Sequence, residues 1–171
     1  MPIPTSEEEL TRLFRELGAS SPEQWARSQI AEGIPQLLRF LFLKSAWKNI
    51  PNEGDFTWIE TEIQEANADP DRPYAGLGLS LSRCINQGVS IEDLNEIARC
   101  LRAQMLFSVG YLVDGPEYFL DSIEDISWGL FQTDADGRPV GKQISGLHES
   151  VLEFDSTGRE MRPRTSMQAQ N

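Results

Sequence analysis

Apolar positions recur along most of this chain at helical spacing, and several of the helices they predict open on recognisable caps. Leu10, Leu13, Phe14 and Leu17 form an i, i+3, i+4, i+7 stripe, preceded by the pair Ser6 and Glu9 and followed by Gly18. A Ser whose side chain meets the N–H three residues on, with a Glu reaching back, is a capping box. Ser21 and Gln24 repeat the device, with Pro22 at the first helical position, where its missing N–H costs nothing. This second helix meets Gly33 and Pro35, so it ends or kinks there and restarts. The restart, from Pro35 to about Lys48, is apolar on most sides: Leu37, Leu38, Phe40, Leu41, Phe42, Leu43, Ala46 and Trp47. A helix apolar nearly all round belongs at the centre of a domain.

Pro51, Asn52 and Gly54 then signal a turn, after which Asp55 caps a helix running to about Ala68. Residues 75–85 read two ways. Leu77, Leu79 and Leu81 alternate with Gly and Ser as in a strand, yet Leu77, Leu81, Cys84 and Ile85 also lie on one helical stripe. Helix is the preferred reading, its small residues admitting a close neighbour. Asp69-Pro70 offers a cap and first-turn proline for a helix start. Ser90 caps the longest element, in which Ile91, Leu94, Ile97, Ala98, Leu101, Met105, Val109 and Leu112 keep a 3.6-residue period. Gly115-Pro116 should stop it.

The last quarter changes period. Residues 128–133 and 140–145 read as two short strands around Asp134-Ala-Asp-Gly-Arg-Pro139. Residues 147–154 fit either a third strand or a short helix. From about Arg162 the chain is polar and aperiodic, the pattern of a frayed end. The expected architecture is mainly α: a single-domain helical bundle of about six helices over residues 1–160, a small C-terminal β-hairpin at about 127–145, and a tail over 161–171.

Composition fits one ordinary globular domain, with 171 residues, 39% of them hydrophobic and 25% charged. The charge changes the picture. Twenty-seven acids against fifteen bases give a net −12. Binding to nucleic-acid phosphate or anionic lipid requires the opposite sign, so neither partner is expected. The first residues lack the basic and apolar regions of a secretory signal. No apolar run approaches the ~20 residues of a membrane span. If Cys84 and Cys100 lie on neighbouring helices joined near Gly88, they are offset by about 10 Å, beyond disulfide reach. A reduced, cytoplasmic protein without a cofactor is expected.

Catalytic chemistry finds little to work with. His148 has Glu149 beside it, but adjacent side chains on one element diverge, and Leu152 stands where a metalloprotease helix would carry its second His. One His and two scattered Cys do not make a four-ligand zinc site from soft ligands alone. Gly76-Leu-Gly78 matches half of a dinucleotide fingerprint, with Leu81 at the third glycine. Asp134-x-Asp136-Gly137 matches part of a calcium loop, with Gln132 and Gln143 at two ligand positions, and an Asp-Gly turn needs no metal. Asp69 and Asp71 beside Glu62 or Glu65 leave a divalent-metal enzyme as an alternative function.

Charge placement is the most specific feature. Residues 49–71 hold seven acids and no base, and residues 103–137 hold seven more, again with no base. Residues 1–137 carry a net −13, residues 138–171 a net +1. Like charges at this density oppose folding through self-repulsion and steer cationic partners. Aromatic side chains between the charges supply the anchors a binding hot spot needs. The expected contact residues are Trp58, Glu60, Glu62, Glu65, Asp69 and Asp71 in the first block, and Asp114, Glu117, Tyr118, Asp121, Glu124 and Asp125 in the second. The function expected is a non-catalytic acidic module, of inhibitor or immunity type, binding a protein with a basic surface. A self-associating helical scaffold is the other alternative.

Overall fold

A computed structural model describes residues 3–115 and 128–163. The protein is mainly helical, with a two-stranded antiparallel hairpin near its C-terminus. The chain divides into two compact units, residues 1–47 with 106–154, and residues 48–105 with 155–171.

In the first unit, α1 (Glu7–Glu16) starts as its sequence predicts. The Ser6 hydroxyl accepts from the Glu9 N–H at 3.3 Å and donates to the Glu9 carboxylate at 3.0 Å. Three glutamates in the first turn complement the positive end of the helix dipole. The Lys44 ammonium donates to the Leu17 carbonyl at the other end. Helix α2 (Pro22–Ala31) begins with proline, but Ser21 makes no side-chain cap. Its ψ of 64° lies far from the extended backbone of a capping residue, so the predicted second capping box does not form.

Helix α3 (Gln36–Trp47) is central in this unit, as its apolar circumference predicts. Leu37 and Phe40 join Leu10, Phe14, Trp25 and Ala26 in one core cluster. Leu43 joins Ile144, Leu147 and Val151 in another. Phe40 holds Phe14, Trp25 and Phe154 at ring-centroid distances of 5.0–5.5 Å, edge-on to the first two. Strands β1 (Leu130–Thr133) and β2 (Pro139–Ile144) pair Leu130 with Ile144 and Thr133 with Pro139, with an irregularity between Phe131 and Gln132. A carboxylate closes the turn: Asp134 Oδ1 accepts from the N–H groups of Asp136 and Arg138, both at 2.9 Å. The Lys142 ammonium donates to the Gly33 carbonyl at 2.8 Å. The segment left open between strand and helix is a 3₁₀ helix, Leu147–Phe154, which buries Leu147, Ser150 and Val151.

In the second unit, α4 (Thr57–Ala68) packs most extensively on α5 (Ala75–Asn86). The helical reading of 75–85 holds, for the physical reason the small residues suggest. A Cβ at Gly78 would stand 2.1 Å from the Glu62 carbonyl oxygen, so only glycine permits this approach. The N-cap of α4 is Phe56 and not the expected Asp55, which stands one residue earlier and accepts from both the N–H and the hydroxyl of Thr57. These two bonds, the hydroxyl's first, hold its carboxyl below the ordinary aspartate value. Asp69 does not start a helix: it closes a turn by accepting from the Asp71 N–H, and α5 waits until after Pro73 and a left-handed Tyr74.

Helix α6 (Ile91–Asp114) starts at Ser90, whose hydroxyl accepts from the Asp93 N–H. Its facing is not the one an apolar stripe ordinarily takes. Ile97, Leu101 and Met105 are 55%, 59% and 65% exposed, while Asn95, Arg99 and Ala103 are buried. The polar residues go inward because each finds a partner there. Asn95 accepts from the Trp58 indole at 2.7 Å and donates to the Asn52 carbonyl at 3.2 Å. Arg99 Nη2 meets Asp155 Oδ1 at 3.1 Å. Asp155 also accepts from the N–H and hydroxyl of Thr157 and the N–H of Met161. Arg159 forms a two-pronged pair with Glu53 at 3.0 and 3.1 Å. Cys84 and Cys100 are both free thiols.

Two outcomes test this account. Gly78→Ala should lower stability by about 1–3 kcal/mol, because backbone must move to admit the methyl. Gly76→Ala, with open space around its Cβ, should instead stabilise α5 by up to about 1 kcal/mol. Urea denaturation of both variants checks the contrast. Burial pushes the Asp155 carboxyl up, but Thr157, the Met161 N–H and Arg99 outweigh it and hold it below its ordinary 3.8. A lowered folded-state value means stability present above that range and lost as pH falls through it. Asp155→Asn should remove this acid dependence and, by leaving Arg99 buried without its partner, cost about 3–5 kcal/mol at neutral pH. The Trp58 indole N–H resonance in urea titrations at pH 7 and pH 3 reports both.

Candidate functional site

The first acidic block is largely engaged within its own unit. Arg72, one residue beyond the base-free window, places Nη2 at 3.1 Å from Glu62 and 3.0 Å from Glu65. Asp69 is occupied by its turn. Trp58 lies half-buried, its indole on Asn95 and its ring 5.0 Å from the Arg102 guanidinium carbon. Arg102 in turn donates to the Asn49 carbonyl. Glu60 and Asp71 remain exposed side chains with no ion pair among the described residues. Of the second block, Glu117, Tyr118, Asp121, Glu124 and Asp125 lie outside the described residues.

Asp114 belongs to the first unit and meets the single histidine. Its Oδ2 is 2.9 Å from His148 Nδ1. The imidazole stacks on Tyr111 at 3.8 Å between centroids and takes Phe107 edge-on at 5.9 Å. Gly110 makes the approach possible, since a Cβ there would fall 2.9 Å from the His148 backbone nitrogen. Asp114 also receives a hydrogen bond on its carbonyl from Gln143 at 3.2 Å. A carboxylate on Nδ1 fixes the imidazole, the orienting half of an acid–base pair. Nothing in the neighbourhood of His148 in sequence reveals this partner, 34 positions away. Burial, and Glu96 beside it, push the Cys100 thiol up, away from the nucleophilic thiolate. Among the described residues, no three His, Cys, Asp or Glu side chains gather as metal ligands.

The first unit also carries an open polar cleft of about 790 Å³. Its floor includes Gln36 and Arg39 from successive turns of α3. Gln36 Nε2 donates to Ser28 Oγ at 2.8 Å, and Arg39 Nη2 donates to Glu149 at 3.1 Å and Ser150 at 2.9 Å. Gln36 Oε1 and Arg39 Nε have no partner among the described residues. Glu23, Glu32 and Glu153 stand around the cleft. Glu23 is held below the ordinary glutamate value by its own backbone N–H and then by Arg15 at 2.6 Å. Glu32 and Glu153 are exposed and have no such partner among the described residues. None of the residues predicted for binding lines this cleft. Its polar floor comes from α3, whose apolar pattern drew the reading toward core alone.

No protein-family model, curated protein or solved structure matches this chain.

The His148 geometry predicts a tautomer. With Asp114 as acceptor, neutral His148 should carry its proton on Nδ1, and Asp114→Ala should move it toward Nε2. Nitrogen-15 chemical shifts of the imidazole at alkaline pH distinguish the two.

Proposed function

We propose that this chain is a non-catalytic acidic module that binds a basic protein through the outward face of α6. The supporting observation is the inverted helix: Ile97, Leu101 and Met105 lie in a row on solvent while the opposite face is filled by Asn95, Arg99 and Ala103. A contiguous apolar stripe on a water-soluble surface marks an interaction face. Asp93, four residues before Ile97, continues the same face with negative charge. Residues 103–114 contain no base, and Arg102 is drawn onto Trp58 and Asn49.

Charge selects the class of partner. Two copies of a chain carrying −12 repel, whereas a cationic surface is attracted along the whole approach. The occupant is therefore an amphipathic basic segment, its apolar side on Leu101 and its lysines and arginines toward Asp93 and the surrounding acids. An inhibitor or immunity-type role, covering the working surface of a basic enzyme, is the form of the activity that best uses such a face.

A synthetic amphipathic helix of leucine and lysine, with polylysine as the charge-only control, tests this. Leu101→Asp is expected to weaken the helix at least tenfold and leave polylysine unaffected. Asp93→Lys is expected to slow association and reduce its salt dependence. Equal binding of the helix by wild type and Leu101→Asp would remove α6 as the contact face. A concentration-dependent dimer in sedimentation, abolished by Leu101→Asp, would replace the basic partner with a second copy.

A further inference from the structure

The exposed apolar row of α6 ends on Met105, and a methionine is an apolar side chain that a mild oxidant turns polar. Of the four methionines in the chain, Met105 and Met161 lie among the described residues. They carry the same thioether into opposite surroundings. Met105 is 65% exposed and stands four residues after Leu101, on the same outward face. Met161 is half-buried, and its sulfur accepts from Arg99 Nη2 at 3.9 Å. Oxygen transfer to a thioether draws on a sulfur lone pair and leaves positive charge on the sulfur in the transition state. The Arg99 guanidinium opposes that charge at Met161. Residues 103–114 contain no base, and Arg102 is drawn onto Trp58 and Asn49. Cys100, on the same helix, is kept as the less reactive thiol by burial first and then by Glu96.

We propose that Met105 is a reversible oxidation site that sets whether the α6 face holds its partner. The inference rests on the reading of that face given above. A peroxide supplies the step. One of its oxygens passes to the Met105 sulfur, the thioether is oxidised by two electrons to the sulfoxide, and the peroxide is reduced to water or an alcohol. No bond of the chain breaks. The sulfoxide oxygen is a strong acceptor placed beside Leu101, where the partner brings apolar atoms, so docking buries an acceptor without a donor. Asp93, which draws the partner's cations, lies at the opposite end of the row, four residues before Ile97. The packed side of the helix, with Asn95, Arg99 and Ala103, takes no part, so the fold accommodates the change.

Hydrogen peroxide at pH 5 tests this on the intact chain, since a thioether reacts without ionising and thiolates are scarce at that pH. Mass mapping should show Met105 converted about fivefold or more faster than Met161. After the peroxide is removed, the oxidised chain is expected to bind the leucine–lysine helix about fivefold or more weakly, with polylysine binding unchanged. Met105→Leu, which keeps an apolar side chain there, should retain helix binding through the same treatment. Methionine sulfoxide reductases of both stereospecificities should restore the oxidised wild type. Equal conversion of Met105 and Met161, or the same loss of binding in oxidised Met105→Leu, would overturn the site. Oxidation of Met105 that spares helix binding would remove the switch alone. Failure of the untreated chain to bind the helix would remove the docking face itself, a result visible before any oxidant is added.

Discussion

The buried contact between Arg99 and Asp155 decides how the second unit is built. A guanidinium taken out of water requires a carboxylate in place, and Asp155 arrives only when the chain returns 56 residues later. Once that pair forms, Arg99 must face inward, and the 100° step of the helix turns Asn95 and Ala103 inward with it. Ile97, Leu101 and Met105 are then on the outside by geometry alone. A buried pair on one face of the helix thereby generates an apolar surface on the other.

That coupling explains where sequence reasoning succeeds and where it stops. Local chemistry was legible: the Ser6–Glu9 cap, the proline start of α2, the Asp134 turn and the central α3 all follow from neighbours within a few residues. The close packing at Gly78 was legible too, because glycines and serines on one side of a helix have few other uses. The facing of α6 was not. Periodicity reports which residues share a side, and the apolar side is normally the inner one. Here two polar residues with distant partners override it, and neither Trp58–Asn95 nor Arg99–Asp155 leaves a trace in spacing. The boundary between the two units is silent for a related reason: one of its crossings, between Met105 and Leu106, falls inside a continuous helix.

The acidic blocks teach a similar lesson about counting charge along a chain. A window free of bases is not a surface free of bases. Arg72 lies immediately after the first window and draws in Glu62 and Glu65, and Arg159 returns from the C-terminal segment to Glu53. The anions left without a counterion are fewer than their density in sequence implies, and some, such as Glu32 and Glu153, lie outside both windows. His148 follows the same pattern, its partner being set by the close approach at Gly110.

The chain has only three lysines, Lys44, Lys48 and Lys142. Two of them are spent on carbonyls in the first unit, Lys44 on the end of α1 and Lys142 on Gly33. Amine-directed acylation would therefore act on this protein chiefly as a cut through internal struts, with Lys48 the position where such a label could sit without unfastening a helix end.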